Sequence, residues 1–243
     1  MANQTFLGYA YWKAERKQVL TEPRSLKIER PQSLSESAAD HIREAIIRGE
    51  FHLGEALTES SLSKLLGISK TPVREAFASL KREGLLQGDS QKGARVFTLT
   101  ADQLRQLCAY RFTLEASALE LALEQFPDGL IKRLTGICNN METAHLTDDF
   151  DGYMHLDRDF HDTFFEFSGN QFLQHGYRSV SHKVSTLRTH LSRAPKRIDK
   201  SYAEHLEITK HLKANNLKKA TRVLRKQIDR GSNAIDEITR AQG

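Results

Sequence analysis

The chain has 243 residues, of which 39% are hydrophobic, enough to build a real core in one or two domains. A negative mean hydropathy and the lack of any run of ~18 apolar residues exclude a membrane protein. The first thirty residues lack a signal-peptide core, and two cysteines without CxxC spacing, Cys108 and Cys138, exclude a disulfide framework, so a reducing cytoplasm is expected; the net charge of +5 permits an anionic partner without demanding one.

Residues 1–32 read as an N-terminal arm. They mix Tyr9, Tyr11 and Trp12 with charges and carry Pro23 and Pro31 without a clean period. A partly disordered arm and a short helix docking on a partner subunit both stay open. From Leu34 the pattern turns helical. Ser33 and Glu36 have capping-box spacing, and Ala38, Ile42, Ala45 and Ile46 recur at helical intervals until Gly49. A second helix carries Leu62, Leu65 and Leu66 and ends at Gly67. A third is expected from Thr71-Pro72, with Thr71 as N-cap and Pro72 at the first helical position; it carries Val73, Phe77 and Leu80, and Gly84 closes it. The stretch from Leu85 to Leu99 reads as a hairpin turning at GDSQKG.

Thr100 and Gln103 form another capping box. From there to Arg240 every long segment has helical period, with breaks expected at Phe126-Pro127, Gly152, Gly169-Asn170, Ala194-Pro195 and Asn215-Asn216. The fold class expected is therefore mainly α: a winged helix-turn-helix over 33–99 with a small β-hairpin wing, then an all-α bundle of about six helices over 100–240.

Three short helices and a hairpin, with the tight joint LLGISKTP, are how a recognition helix is presented to the major groove. Charge follows the same plan. Between Lys64 and Arg95 there are seven basic residues and three acidic ones, a surplus of four in a chain whose whole net charge is +5. Local concentration of this kind is what phosphate binding by counterion release needs. Lys70 and Arg74 sit on the opening turn, where Arg74 can fork onto guanine O6 and N7. Thr71 and the first backbone amides suit a phosphate. Lys92, Gly93 and Arg95 lie on the wing, suited to the minor groove or the backbone.

The run IREAIIRGEFHLGEALTESSLSKLLGISKTPVREAFASLKREGLL resembles the DNA-binding domain of the GntR transcription regulators over about 65 residues. The resemblance implies operator contacts from Lys70, Thr71 and Arg74. Ser60 stands where some relatives carry arginine, which puts a base contact from the second helix in doubt.

In the bundle, Leu104, Leu107, Cys108, Leu114, Ala118 and Ala122 form one face, with Arg111 at its centre and Glu115 beside it. Arg111 either pairs with Glu115 at i, i+4 or grips a ligand carboxylate. Phe160, Phe164 and Phe167 make a second stripe, with Asp157 and His161 one turn apart along its edge, a spacing that lets carboxylate and imidazole share an ion. His205 falls among Tyr202, Leu206, Thr209 and Leu212. Gln227 falls on the last stripe, with Leu217, Ala220, Leu224, Ile228, Gly231 and Ile235. His155, His175, His182, His190 and His211 match no ligand position.

LDRDFHDTFFEFSGN, EHLEITKHLKANNLKKATRVLRKQI and RFTLEASALELA look like the FCD ligand-binding domain of the FadR subfamily. The resemblance implies a divalent metal, Zn or Ni, on Asp157, His161 and His205; the fourth position is Gln227 rather than histidine, a weaker, neutral ligand, so a metal-free pocket in which Gln227 hydrogen-bonds an organic ligand directly stays open beside it. Effector contacts are expected from Arg111, Asn170 and Gln227. The function expected is a one-component regulator: a homodimer on a palindromic double-stranded operator, responsive to a small carboxylate metabolite. Two other readings are an architectural DNA-binding protein without effector and a metal-dependent hydrolase. The hydrolase is disfavoured because no G-x-S-x-G or phosphate loop is present, and the chain is expected not to be an enzyme.

Overall fold

The computed structural model describes residues 32–88, 93–192 and 195–241; the side chains of 195–196 and 232–241 lie outside the description. The expected N-terminal arm, Lys92 and the side chain of Ile235 therefore fall almost wholly or wholly outside it.

The head opens with α1 (Leu34–Arg48), which buries Ala38, Ala39, Ile42, Ile46 and Ile47 and stops at Gly49. β1 (Ala56–Leu57) leads into α2 (Glu59–Leu66), whose N-cap Thr58 accepts from the Ser61 amide. Gly67, at φ 65°, ends α2 in the left-handed region open to glycine. Leu65 is not part of the core expected for this helix: it is 70% exposed, and Leu62 is the buried residue.

α3 (Lys70–Arg82) starts earlier than its sequence suggests. The N-cap is Ser69, so Thr71 and Pro72 lie inside the first turn. A proline costs nothing there, since the first four amides of a helix have no intrahelical partner. α3 buries Val73, Ala76, Phe77 and Leu80 and turns its other face outward. β2 (Leu86–Gln87) and β3 (Ala94–Val96) form the expected antiparallel hairpin, with Leu86 opposite Val96. β1 joins it on the other side of β3, pairing Leu57 with Ala94. Two residues carry no readable alternation, so β1 had no signature in the sequence.

The bundle comprises α4 (Ala101–Gln125), α5 (Pro127–Leu146), α6 (Phe150–Phe167), α7 (Gln171–Ser192), α8 (Pro195–Lys213) and α9 (Leu217–Ala241). The Thr100–Gln103 capping box is present in both directions. The break expected at Gly152 lies instead just ahead of α6, where Asp148 takes φ 53° and the Asp149 carboxylate accepts from the Gly152 amide at 2.9 Å. A side-chain cap sets this helix start, and the glycine is carried inside its first turn. The bundle core joins Leu119, Leu130, Leu134, Met141, Phe160, Phe164, Ile208, Leu224 and Ile228. Leu187 of α7 and Leu104 of α4 enter the head's own core, among Phe77, Leu80 and Phe97. The bundle thus contributes side chains to the head it carries.

Candidate functional site: an exposed DNA-reading edge and a buried polar chamber

The amphipathic period of α3 sets the reading edge. With Val73, Ala76, Phe77 and Leu80 inward, Lys70, Thr71 and Arg74 are left exposed. Arg74 is held from α2: its Nε donates to Glu59 Oε1 at 3.0 Å and its Nη2 to Glu59 Oε2 at 2.9 Å. That pair occupies one edge of the guanidinium and leaves the Nη1–Nη2 end for a base. On the wing, Arg95 is exposed and its Nη1 donates to the Gly54 carbonyl at 3.2 Å. Gly93, at φ 91°, has a backbone reason to be glycine. A Cβ there would lie 2.8 Å from the Leu57 carbonyl oxygen, where β1 and β3 come together.

The chamber is built by five helices. From α4, Arg111 Nε donates to Glu115 Oε1 at 2.5 Å, both side chains buried. The pairing weighed for these two residues therefore exists, and Glu115 does more. Its other oxygen accepts from His161 Nδ1 at 2.7 Å. A neutral imidazole that donates through Nδ1 turns the lone pair of Nε2 away from the carboxylate and toward His205. Asp157 and His161, expected at the edge of α6, are fully buried. From α8, His205 Nε2 lies 3.5 Å from His161 Nε2 and 3.4 Å from Asp157 Oδ1. Its neighbour Leu206 is exposed, and Thr209 and Leu212 form the inward face. From α9, the Gln227 amide nitrogen lies 3.2 Å from His205 Nε2, and its Oε1 is buried without a hydrogen-bond partner.

Charge is finely opposed here. Burial alone would raise the Glu115 carboxyl, but Arg111 and then His161 outweigh it and hold it well below the usual range. Burial would also raise Asp157, yet Arg188, His205 and His161 bring it down to about 2. Burial lowers His161 against the pull of Glu115, and lowers His205 to about 3 against Asp157. The chamber thus offers ionised carboxylate and neutral imidazoles, the protonation states a metal ligand needs.

The donor set fits a divalent metal. Asp157, His161 and His205 each offer one ligand atom, all within 4.8 Å of one another. Two imidazoles and a carboxylate suit Zn or Ni, and Glu115, accepting from His161 Nδ1, is the kind of carboxylate that orients a metal-binding histidine. The free oxygen of Gln227 is an amide acceptor whose partner could be an ion or water.

Three further cations line the chamber with Arg111: Arg188, Arg197 and Arg230. Arg188 Nη1 donates to Asp157 Oδ2 at 2.5 Å and to the Asp157 carbonyl at 3.1 Å; Arg230 pairs with Glu204. None of the three was singled out from sequence. Arg188 sits between buried Leu187 and Thr189, and nothing in the mixed run VSTLRTHL set it apart from an exposed cation. The enclosed space is small, about 60 Å³. Asn170 is not among its lining residues. Its Oδ1 accepts from the Phe172 and Leu173 amides at 3.0 and 3.1 Å and caps α7.

With this geometry in hand, comparison with known proteins decides the family. The model of the bacterial regulatory proteins of the gntR family matches residues 34–96, and the FCD domain model matches residues 106–230. The chain belongs to the GntR family and carries an FCD domain. GntR proteins are DNA-binding transcription regulators and not enzymes, which sets the hydrolase reading aside. Two relatives are an uncharacterized HTH-type transcriptional regulator, YdhC, of Bacillus subtilis and the Nta operon transcriptional regulator of Aminobacter aminovorans. The first is 26% identical over 191 residues, spanning 78% of this chain and 85% of the relative. The second is 31% identical over 160 residues, spanning 65% and 74%. A putative GntR regulator from Rhodococcus sp. RHA1 has the same fold, with a TM-score of 0.72 at 22% identity over 84% of this chain and 99% of that one. Within GntR regulators the operator is bound typically by dimers, and FCD domains often bind metals. No described helix is long and apolar enough to cross a membrane.

Proposed function

We propose that this GntR regulator binds a palindromic operator as a homodimer and releases or tightens its grip in response to a small carboxylate held beside a divalent metal in the FCD chamber. The observation that carries this reading is the convergence of Asp157, His161 and His205 on one point with four guanidinium groups around it. An ion would be held by those three, and an anion by the arginines, Arg111 foremost. Gln227, with its unsatisfied oxygen, is the fourth contact to ion or effector. The chamber's size favours a compact acid over a large one.

On the head, Lys70, Thr71 and Arg74 meet the major groove, and Lys92, Gly93 and Arg95 flank it from the wing. Glu59 buttresses Arg74 so that its free end addresses guanine. An effector acts by favouring one placement of the two heads over another; equal affinity for both would shift nothing.

The test is an elemental inventory of the purified chain with operator binding measured across a panel of small carboxylates. A stoichiometric divalent metal is expected, with an operator affinity that shifts for at least one acid. His161→Ala should lose the metal and the response while the metabolite-free protein still binds operator. A metal-free wild type that responds to no acid supports the architectural reading instead.

A further inference from the structure

A roomier space than the chamber lies at the seam between head and bundle, with about 280 Å³ against the chamber's 60 Å³. Its walls come from α1 (Glu44, Arg48), α6 (Asp157, Arg158) and α7 (Ser185, Arg188). We propose that this seam cavity is a second ligand site, taking a compact anion that presents a carboxylate or phosphate group, and that its occupancy bears directly on how the head is held.

Three observations carry the proposal. The first is unmet hydrogen-bonding capacity. Ser185 is 5% exposed and its Oγ has no hydrogen-bond partner; Arg188 Nε is likewise buried without one. A buried donor left unpaired costs free energy, so such groups usually face a partner of some kind. Ser185 lines this cavity and not the chamber, while Arg188 lines both, so the hydroxyl is the donor that marks the seam.

The second is the balance of charge. Three guanidinium groups line the space; Arg48 is exposed, and the carboxylates near the more buried Arg158 and Arg188 are shared. Glu44 serves both Arg48, at 3.1 Å, and Arg158, at 3.8 Å. Asp157 serves Arg188 and also lies 3.4 Å from His205 on the chamber side. Arg158 turns an Nη2 to the ring of His155 at 2.6 Å rather than to an acid. Asp151, the remaining carboxylate of the lining, is exposed. Arginine forks match the paired oxygens of carboxylate and phosphate groups. The volume stands near the roughly 300 Å³ lower end of small-molecule pockets, which restricts the ligand to a compact one.

The third is position. One wall is α1 of the head and the other two are bundle helices, so an occupant ties the two together. Asp157 and Arg188 line both the seam cavity and the chamber. Whatever takes Asp157 on one side changes the partner of Arg188 on the other. Binding at the two places is then coupled, and reciprocally so. The seam site itself stands whether or not the chamber holds an effector.

The experiment uses the full chain with inorganic phosphate and malonate as probes, followed by calorimetry and by the NMR signal of the methionine methyls. Met154 lines the seam cavity, whereas Met141 is buried in the bundle core. Saturable binding of at least one probe is expected, with the Met154 methyl shifting and Met141 still. Arg158→Gln and Ser185→Val should each weaken that binding by about tenfold or more, as losing a hydrogen bond to a charged group does. His161→Ala, which disables the chamber, should change the affinity through the shared Asp157–Arg188 pair without abolishing saturable binding or the Met154 shift. No saturable binding of either probe overturns the proposal and leaves the cavity to water. Binding that survives both seam variants, or that is abolished by His161→Ala, also overturns it and assigns the probes to the chamber. Should one seam variant fail to fold, the other together with the Met154 signal decides.

Discussion

The head and the chamber solve opposite problems with the same residue types. On α3 the working cations are exposed and lie within a few residues of one another, positioned by a local motif and by one neighbour, Glu59. In the chamber the working groups are buried, and most of their pairs bridge two helices: Glu115 on α4 holds His161 on α6, and Asp157 on α6 meets Arg188 on α7 and His205 on α8. A surface reader tolerates imperfect pairing because water completes it. A buried site relies on its own pairs, so its function and its stability rest on the same contacts, and the unmet Gln227 oxygen and Arg188 Nε stand out against them.

The comparison is broken most severely at Glu115. Removing one member of a buried ion pair strands the other, at a cost of about 3–5 kcal/mol. Glu115→Ala should lower unfolding free energy by that order in urea denaturation, and Glu115→Gln should lower metal affinity about 10–100-fold, as losing the carboxylate that orients a metal-binding histidine does. If Glu115→Ala unfolds at the wild-type urea concentration, the chamber is not the stability-bearing network described here.

An exposed reader should behave in the opposite way. Arg74→Ala should leave the urea midpoint unchanged while weakening operator binding about ten- to a hundredfold and relaxing preference at one base pair. Glu59→Gln should reproduce the loss of base preference with less loss of overall affinity, because the cation remains. Lys70→Ala should weaken binding uniformly across sequences and reduce the salt slope by about one. Equal effects of Arg74→Ala on operator and random duplex would reduce it to a phosphate contact.

What could be read in advance follows from the same contrast. The head was legible because helix starts, stops and basic placement are local: Gly49, Gly67 and Gly84 each end a helix where expected, and the hairpin sits where its turn residues put it. The one misplacement, α3 starting at Lys70, arose because proline is as acceptable at the third helical position as at the first. In the chamber, the inward facing of His205 was legible from period, while Asp157 and His161 were placed only along the edge of their stripe. Arg188, Arg197 and Arg230 were not legible, since their burial depends on how helices far apart in sequence cross. Asn170 shows the converse error. A polar residue beside a glycine at a helix junction more often caps the next helix than meets a ligand, and its two amide contacts do that.

The smallest effect lies where head and bundle meet in a solvated ion cluster. Glu83 of the head accepts from Arg43 Nε and Nη2, each at 2.8 Å, and His182 of α7 brings Nδ1 to 3.4 Å from Glu83 Oε2. Burial, then Arg43, lowers the affinity of His182 for a proton; burial would raise Glu83, but the hydrogen bonds and charge of Arg43, with His182 and Ser79, together lower it. Both groups hold fewer protons folded than unfolded. Their contribution to stability is therefore full above the unfolded values, about 6.5 for histidine and about 4.3 for glutamate, and is lost as pH falls through the folded ones. His161 and His205 add to the same acid decline in every variant, so the informative quantity is a difference. His182→Gln should match the pH trend of wild type above about pH 6.5 and gain on it progressively below, because only wild type carries the disfavoured proton at that position. Urea midpoints of the two proteins between pH 5 and 8 measure it. A gap that does not change with pH would mean that His182 is solvated alike in both states, and that the polar part of the seam contributes nothing to the way the bundle holds the head.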